Sequence, residues 1–136
     1  MRVFLDTNVL VSAFAGRGLC SDLYESVLLR HELVTGANVL RELTSALREK
    51  LRMSAEQCHE RVHAVSEQAV ETVGAPTPLS CKADADDLLV LGEAVAGGSQ
   101  FFVTGDADLV RLKSVGNLRI LTPREFWELL RSEKSE

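Results

Sequence analysis

The chain has 136 residues, 46 % hydrophobic and 26 % charged, a balance that excludes a disordered chain and suits one domain around one core. Its formal net charge of −5 argues against a broad attraction to phosphates, unless the acids gather around bound cations. Three cysteines, Cys20, Cys58 and Cys81, form no CxxC pair and read as reduced thiols of a cytoplasmic protein.

The opening "VFLDTNVLVSAF" is apolar except for Asp6-Thr7-Asn8. Those three polar residues sit where a signal peptide needs an unbroken apolar run, so no leader is expected. No later stretch is long and apolar enough to span a membrane. Arg2 to Leu5 reads as a short strand buried on both faces. Val9 to Ala15 reads as a helix ended by Gly16-Arg17-Gly18, with Asn8 available as its cap. Ser21 to Arg30 gives a second helix with Leu23, Val27 and Leu28 on one side. "HELVTG" is a strand closed by Gly36. "ANVLRELTSALREKL" is the clearest helix, because Val39, Leu40, Leu43, Ala46 and Leu47 share a face.

Ser54 and Ala55 open a helix running to about Val70, and "ETVGAP" holds a minimal strand before the turn-rich "APTPLSCKADADD". A helix from Asp87 to Ala96 stops at Gly97-Gly98. "FFVTGD" is a strand, "ADLVRL" a short helix and "LRILT" the last strand. Thr122-Pro123-Arg124-Glu125 forms a capping box for a helix ending near Arg131. Alternating strands and helices imply a central, mainly parallel sheet of four or five strands with helices on both faces. Residues 1–131 read as a single domain, with 132–136 a frayed tail.

In such a sheet, sites form beyond the carboxyl ends of the strands. Asp6 ends the first strand and Asp106 the "FFVTGD" strand. Asp87 starts a helix after a long loop. Glu42 lies roughly 100° from Leu43 on a helical wheel, at the edge of the buried stripe. Four acids on one rim repel one another unless a cation neutralises them. Oxygen donors without Cys or His suit Mg²⁺ or Mn²⁺ rather than zinc. Such an ion polarises a phosphoryl oxygen, lowers the pKa of water and stabilises a departing oxyanion, the needs of phosphodiester cleavage.

Each acid also has a plainer explanation. Asp84, Asp86, Asp87, Asp106 and Asp108 all stand near helix starts, where aspartate caps and complements the dipole. Glu42 alone reads as a flank residue. Asp6 is harder to explain so, since a carboxylate at the end of a buried strand needs partners or a cation.

These stretches resemble the PIN domain, a family of metal-dependent ribonucleases that includes many toxins of toxin–antitoxin pairs. "VFLDTNVLVSAF" is similar to the family's opening strand, "VLRELTSAL" to its second motif, "DADDLLVLGEAVAGG" to its third and "FFVTGDADL" to its fourth. The four occur in the family's order from Arg2 to about Phe126. The resemblance implies a three-layer α/β/α sandwich and an acidic pocket of Asp6, Glu42, Asp87 and Asp106 holding one or two Mg²⁺ or Mn²⁺ ions. Asp86 is the rival for the third position, and Asp108 an auxiliary metal ligand. Thr7, Asn8 and Thr104 match the family's supporting polar residues.

The activity implied is hydrolysis of RNA to 5′-phosphate and 3′-hydroxyl ends, with an antitoxin protein and a homodimer as further partners. A catalytically weak scaffold that binds RNA or protein is the alternative, but degeneration shows as lost acids and all four positions are filled. A phosphohydrolase using Asp6 as nucleophile would want a second Asp two residues on, where Asn8 stands.

Arg17, Lys82, Arg111 and Lys113 lie in or beside rim loops and are candidate RNA contacts. Arg41, Arg48 and Arg52 suit a solvated helix face. His59 and His63 have zinc spacing but lack a third ligand.

Overall fold

The computed structural model describes residues 1–134. Six strands form one sheet: β1 (Arg2–Leu5), β2 (Glu32–Gly36), β3 (Glu71–Val73), β4 (Phe101–Val103), β5 (Ser114–Val115) and β6 (Leu118–Leu121). Seven helices connect or follow them: α1 (Thr7–Phe14), α2 (Leu19–Arg30), α3 (Ala37–Lys50), α4 (Ala55–Gln68), α5 (Ala85–Ala96), α6 (Ala107–Arg111) and α7 (Pro123–Lys134). The expected strand count of four or five falls short by β5, a two-residue strand antiparallel to β6. Its turn carries Gly116 at φ 58, a conformation glycine adopts without strain. Two residues leave no periodicity to read in the sequence.

The strand order is β3-β2-β1-β4-β6-β5, and every pairing but the last is parallel. The central strands β1 and β4 are nearly continuous apolar runs because both faces of the sheet are covered there. Val3, Phe4, Leu5, Phe102 and Val103 are buried completely or almost so. Phe4 pairs in register with Phe102 across β1 and β4, and their rings stack with centroids 5.5 Å apart. From β1 the chain adds β2 and then β3 on one side, and returns through α5 to place β4 on the other. With right-handed crossovers, this reversal sets α5 on the face opposite α1 to α4. It also makes the gap between the β1 and β4 exits the switch point where a crevice opens.

Helix ends follow local chemistry. Ser54 and Gln57 make the capping box of α4, and Thr122 and Glu125 that of α7. Helix α5 stops at Gly97, with Gly98 at φ 66. Three helices begin two residues earlier than expected, α2 at Leu19 rather than Ser21 among them. Helix α1 starts at Thr7 and its cap is Asp6, not Asn8; α5 starts at Ala85 and is capped by Asp84. Helix α7 continues past Arg131 to Lys134. Of the tail expected to fray, 135–136 lie outside the described residues.

The loop before α5 lies on that helix through Gly92. Its carbonyl accepts from Thr77 N at 3.0 Å, and a Cβ added there would overlap the Thr77 carbonyl oxygen and stand 3.0 Å from Pro76 Cβ. Gly92→Ala is therefore expected to destabilise the protein by about 1–3 kcal/mol despite alanine's better helix propensity; urea unfolding checks it, and a stabilised variant would refute this packing. No helix among the described residues is long and apolar enough to cross a membrane.

Candidate acidic site at the β1–β4 switch point

The crevice is built from the residues that follow β1 and β4. Asp6 N donates to Val103 O at 3.0 Å, carrying the ladder one residue past β1. The Asp6 carboxylate then turns back as the N-cap of α1: Oδ1 accepts from Thr7 N at 2.8 Å. Its other oxygen, Oδ2, accepts from Thr104 Oγ1 at 2.7 Å and from Asn8 Nδ2 at 3.2 Å. Asp6 is only 8 % exposed, so these donors do the work of the water it has lost.

Thr104 and Asn8 join the two loops. Thr104 Oγ1 accepts from Asp106 N at 3.0 Å while donating to Asp6. Asn8 Oδ1 accepts from Gly105 N at 2.9 Å. "TGD" is therefore a loop beyond β4, in which Asp106 caps α6 by accepting from Asp108 N at 2.8 Å. Thr104→Val would leave both Asp6 Oδ2 and Asp106 N short of a partner in a buried place. The expected loss is about 2–3 kcal/mol, measurable by chemical denaturation; an unchanged unfolding midpoint would contradict it.

Glu42 reaches the same crevice from α3, where its Oε2 accepts from Thr7 Oγ1 at 2.8 Å. Asp87 stands in the first turn of α5, its backbone N bonded to the capping Asp84 at 2.9 Å. It faces a groove of about 510 Å³ lined also by Asp84, Lys82, Asp108, Leu109 and Arg111.

The carboxyls perturb one another. Burial, then the Asp106 charge, lifts Asp6 above the ordinary carboxylate range, against the pull of its hydrogen bonds from Thr104, Thr7 and Asn8. Burial also lifts Glu42, against the Thr7 bond, with Asp6, Asp86 and Glu93 adding repulsion. Asp87 is pushed up to about 6 by burial, then by Asp84, Asp106 and Asp6. Asp6, Glu42, Asp87 and Asp106 thus share one field, in which Asp87 feels Asp6 and Asp106 while the exposed Asp86 acts on Glu42.

The donor set fits a hard divalent cation: carboxylates only, mutually repelling, with the second oxygens of Glu42 and Asp106 outside the bonds described. Among the described residues, no three His, Cys, Asp or Glu side chains stand close enough together to hold a metal ion as they are placed; the acids are spread along an open rim.

The other expected residues divide. Lys82 and Arg111 line the groove; Arg17 and Lys113 are exposed but do not line it. Asp108 lines the groove and pairs with Arg111 at 2.8 Å. Arg41, Arg48 and Arg52 are exposed. His59 and His63 stack on the outside of α4, and His63 Nε2 pairs with Glu67 at 3.1 Å.

Two acids were missed by sequence reasoning. Asp84, treated there as one of several possible caps, is the cap of α5 and a wall of the groove. Glu93 is fully buried in α5; the signal for it was a lone acid inside the apolar "VLGEAVAG".

A family model described as a PIN domain matches residues 2–108. No curated protein matches the sequence. Solved structures share the fold at low identity. One is the VapBC2 complex of Rickettsia felis bound to a promoter DNA fragment: 17 % identity, TM-score 0.64, 90 % of this chain and 98 % of that one covered. A second is VapBC-1 of nontypeable Haemophilus influenzae: 14 % identity, TM-score 0.61, coverage 91 % and 99 %. A third is VapC20 of Mycobacterium tuberculosis, described as a toxin cleaving the sarcin-ricin loop: 16 % identity, TM-score 0.60, coverage 86 % and 98 %.

Proposed function

The chain belongs to the PIN-domain family, and from that premise we propose that it is a divalent-metal-dependent endoribonuclease of the toxin type. The observation that carries the reading is the shared field of Asp6, Glu42, Asp87 and Asp106 at the switch point, where burial and mutual repulsion raise three of the four. Carboxylates held in that state favour either protons or a hard cation. Mg²⁺ or Mn²⁺ held there would supply charge neutralisation at a phosphoryl group and a more acidic water.

The chain's own residues have distinct parts in this reading. Asp6, Glu42, Asp87 and Asp106 hold the cation. Thr104 and Asn8 fix Asp6 and tie its loop to that of Asp106. Thr7 orients Glu42. Lys82 and Arg111 present positive charge on the walls of the groove beside Asp87, where the phosphates of a single RNA strand would lie. Asp108 tempers Arg111 rather than joining the ligand set. The unit of function is one domain, residues 1–131, and an antitoxin-type protein is the expected partner because two of the similar structures are described as VapBC assemblies.

The test is cleavage of a defined pool of RNAs by the purified chain with Mn²⁺, with Mg²⁺, and with chelator. Metal-dependent internal cuts leaving 5′-phosphates are expected. Cleavage that survives the chelator would refute the mechanism, and no cleavage with either metal would favour a binding scaffold.

A further inference from the structure

Among the described residues, Glu93 is the largest polar side chain with no exposed surface, and it lies in α5 about 1.7 turns beyond Asp87. Its carboxylate does not open onto the rim. It crosses to the start of α3, where Oε2 accepts from Asn38 N at 2.7 Å and from Asn38 Nδ2 at 3.2 Å, and Oε1 accepts from Val39 N at 3.2 Å. Helix α3 has no cap of its own: its N-cap is Gly36, in extended backbone at φ −157 and ψ 163. A Cβ on Gly36 would stand 2.5 and 2.6 Å from Glu93 Oε1 and Oε2. The carboxylate from α5 therefore fills the place where a local capping side chain would sit.

A helix can be capped far more cheaply by its own Ser or Asp than by a buried acid from another helix. What the remote cap adds is a connection between α3, which carries Glu42, and α5, which carries Asp87. Those helices belong to opposite faces of the sheet. Glu42 lies one turn beyond Asn38, so a shift of the first turn of α3 moves it directly.

We infer that Glu93 is a positioning residue: its buried carboxylate clamps the first turn of α3 to α5, holds Glu42 in register with Asp87, and so sets the affinity of the rim for a divalent cation that it does not touch. The inference rests on the reading of the rim as a cation site. Glutamine at 93 keeps the shape but puts an amide nitrogen against one of two backbone donors, so one arm of the clamp is lost.

The experiment titrates MnCl₂ into the full chain by calorimetry and follows amide exchange at Asn38 and Val39. For Glu93→Gln, exchange at one or both amides is expected to speed up about tenfold, with Mn²⁺ binding weakened about tenfold in a protein that is still folded. Gly36→Asp combined with Glu93→Ala separates a cap from a clamp and serves if the single variant does not fold. The aspartate caps α3 locally but leaves α5 unattached. Restored protection of the two amides with Mn²⁺ affinity still weak is the expected result. Wild-type Mn²⁺ affinity in either folded variant overturns the inference. Absence of Mn²⁺ binding by the wild type instead removes the reading of the rim itself, and the clamp's role with it.

Discussion

Replacing Asp6 by asparagine is expected to lower Mn²⁺-dependent RNA cleavage by more than about 100-fold, beyond the range seen when only an outer partner of a metal ligand is lost. Asp6 lies at the centre of the hydrogen bonds that join the two loops, and its charge contributes to the field felt by Glu42 and Asp87. Asparagine preserves the volume and can still accept from Thr7 N through its carbonyl oxygen. Its amide nitrogen, however, would face two groups that now donate to Oδ2, Asn8 Nδ2 and Thr104 Oγ1. The Asn8 amide cannot simply flip, because its Oδ1 is held by Gly105 N. Losing those bonds costs about 1–3 kcal/mol, and removing a buried charge from a repelling group offsets part of that. The variant should thus stay folded, with a melting temperature within several degrees of wild type, while cleavage and Mn²⁺ binding collapse together. Retained cleavage in a folded Asp6→Asn protein would show that the rim is not the reacting centre.

Much of this fold is legible in the sequence, for a physical reason. The apolar runs of β1, β2, β4 and β6 and the single-faced periodicity of α3 are local signals, and the order of strands and helices leaves few topologies. Asp6 stood out because a carboxylate at the end of a buried strand calls for an explanation; Glu42, Asp87 and Asp106 each had a plainer reading, and it was the resemblance of four motifs in order to the PIN domain that joined them to it. What local pattern cannot convey is contact between residues far apart in sequence. Thr104 and Asp6, 98 residues apart, share a hydrogen bond, and nothing in "FFVTGD" alone says that its threonine rather than its aspartate meets the first strand. Asp6 proved to be both the cap of α1 and a member of the acidic rim, so the two readings weighed for these acids are not exclusive. Glu93 was missed for the same reason. Its partners belong to α3, and the vacancy it fills is made by Gly36, which on sequence alone only closes a strand.

The rim also links stability to pH and to metal in a way that can be measured without substrate. Asp87 has a carboxyl raised from 3.8 to about 6, so the folded protein binds this proton more tightly than the unfolded chain does. The corresponding stabilisation is complete below about pH 3.8 and is lost as pH rises through about 6. In chelator, the folded state at pH 7.5 therefore carries the cost of a charge that is partly buried and repelled by its neighbours, worth about 1–2 kcal/mol once solvent screening at this partly exposed group is allowed for. Two consequences follow. Asp87→Asn should stabilise the metal-free protein at pH 7.5 by about that amount and flatten its melting temperature between pH 5 and 7.5, even though it removes a cation ligand. Mn²⁺ should raise the melting temperature of the wild type strongly at pH 7.5 and little at pH 5, where protons already occupy the carboxyls, and should do less for Asp87→Asn at either pH. The use of a difference between wild type and variant cancels contributions that both share. If Asp87→Asn destabilised the metal-free protein at neutral pH, the burial and repulsion inferred for this carboxylate would be absent, and with them the reason for these acids to recruit a cation.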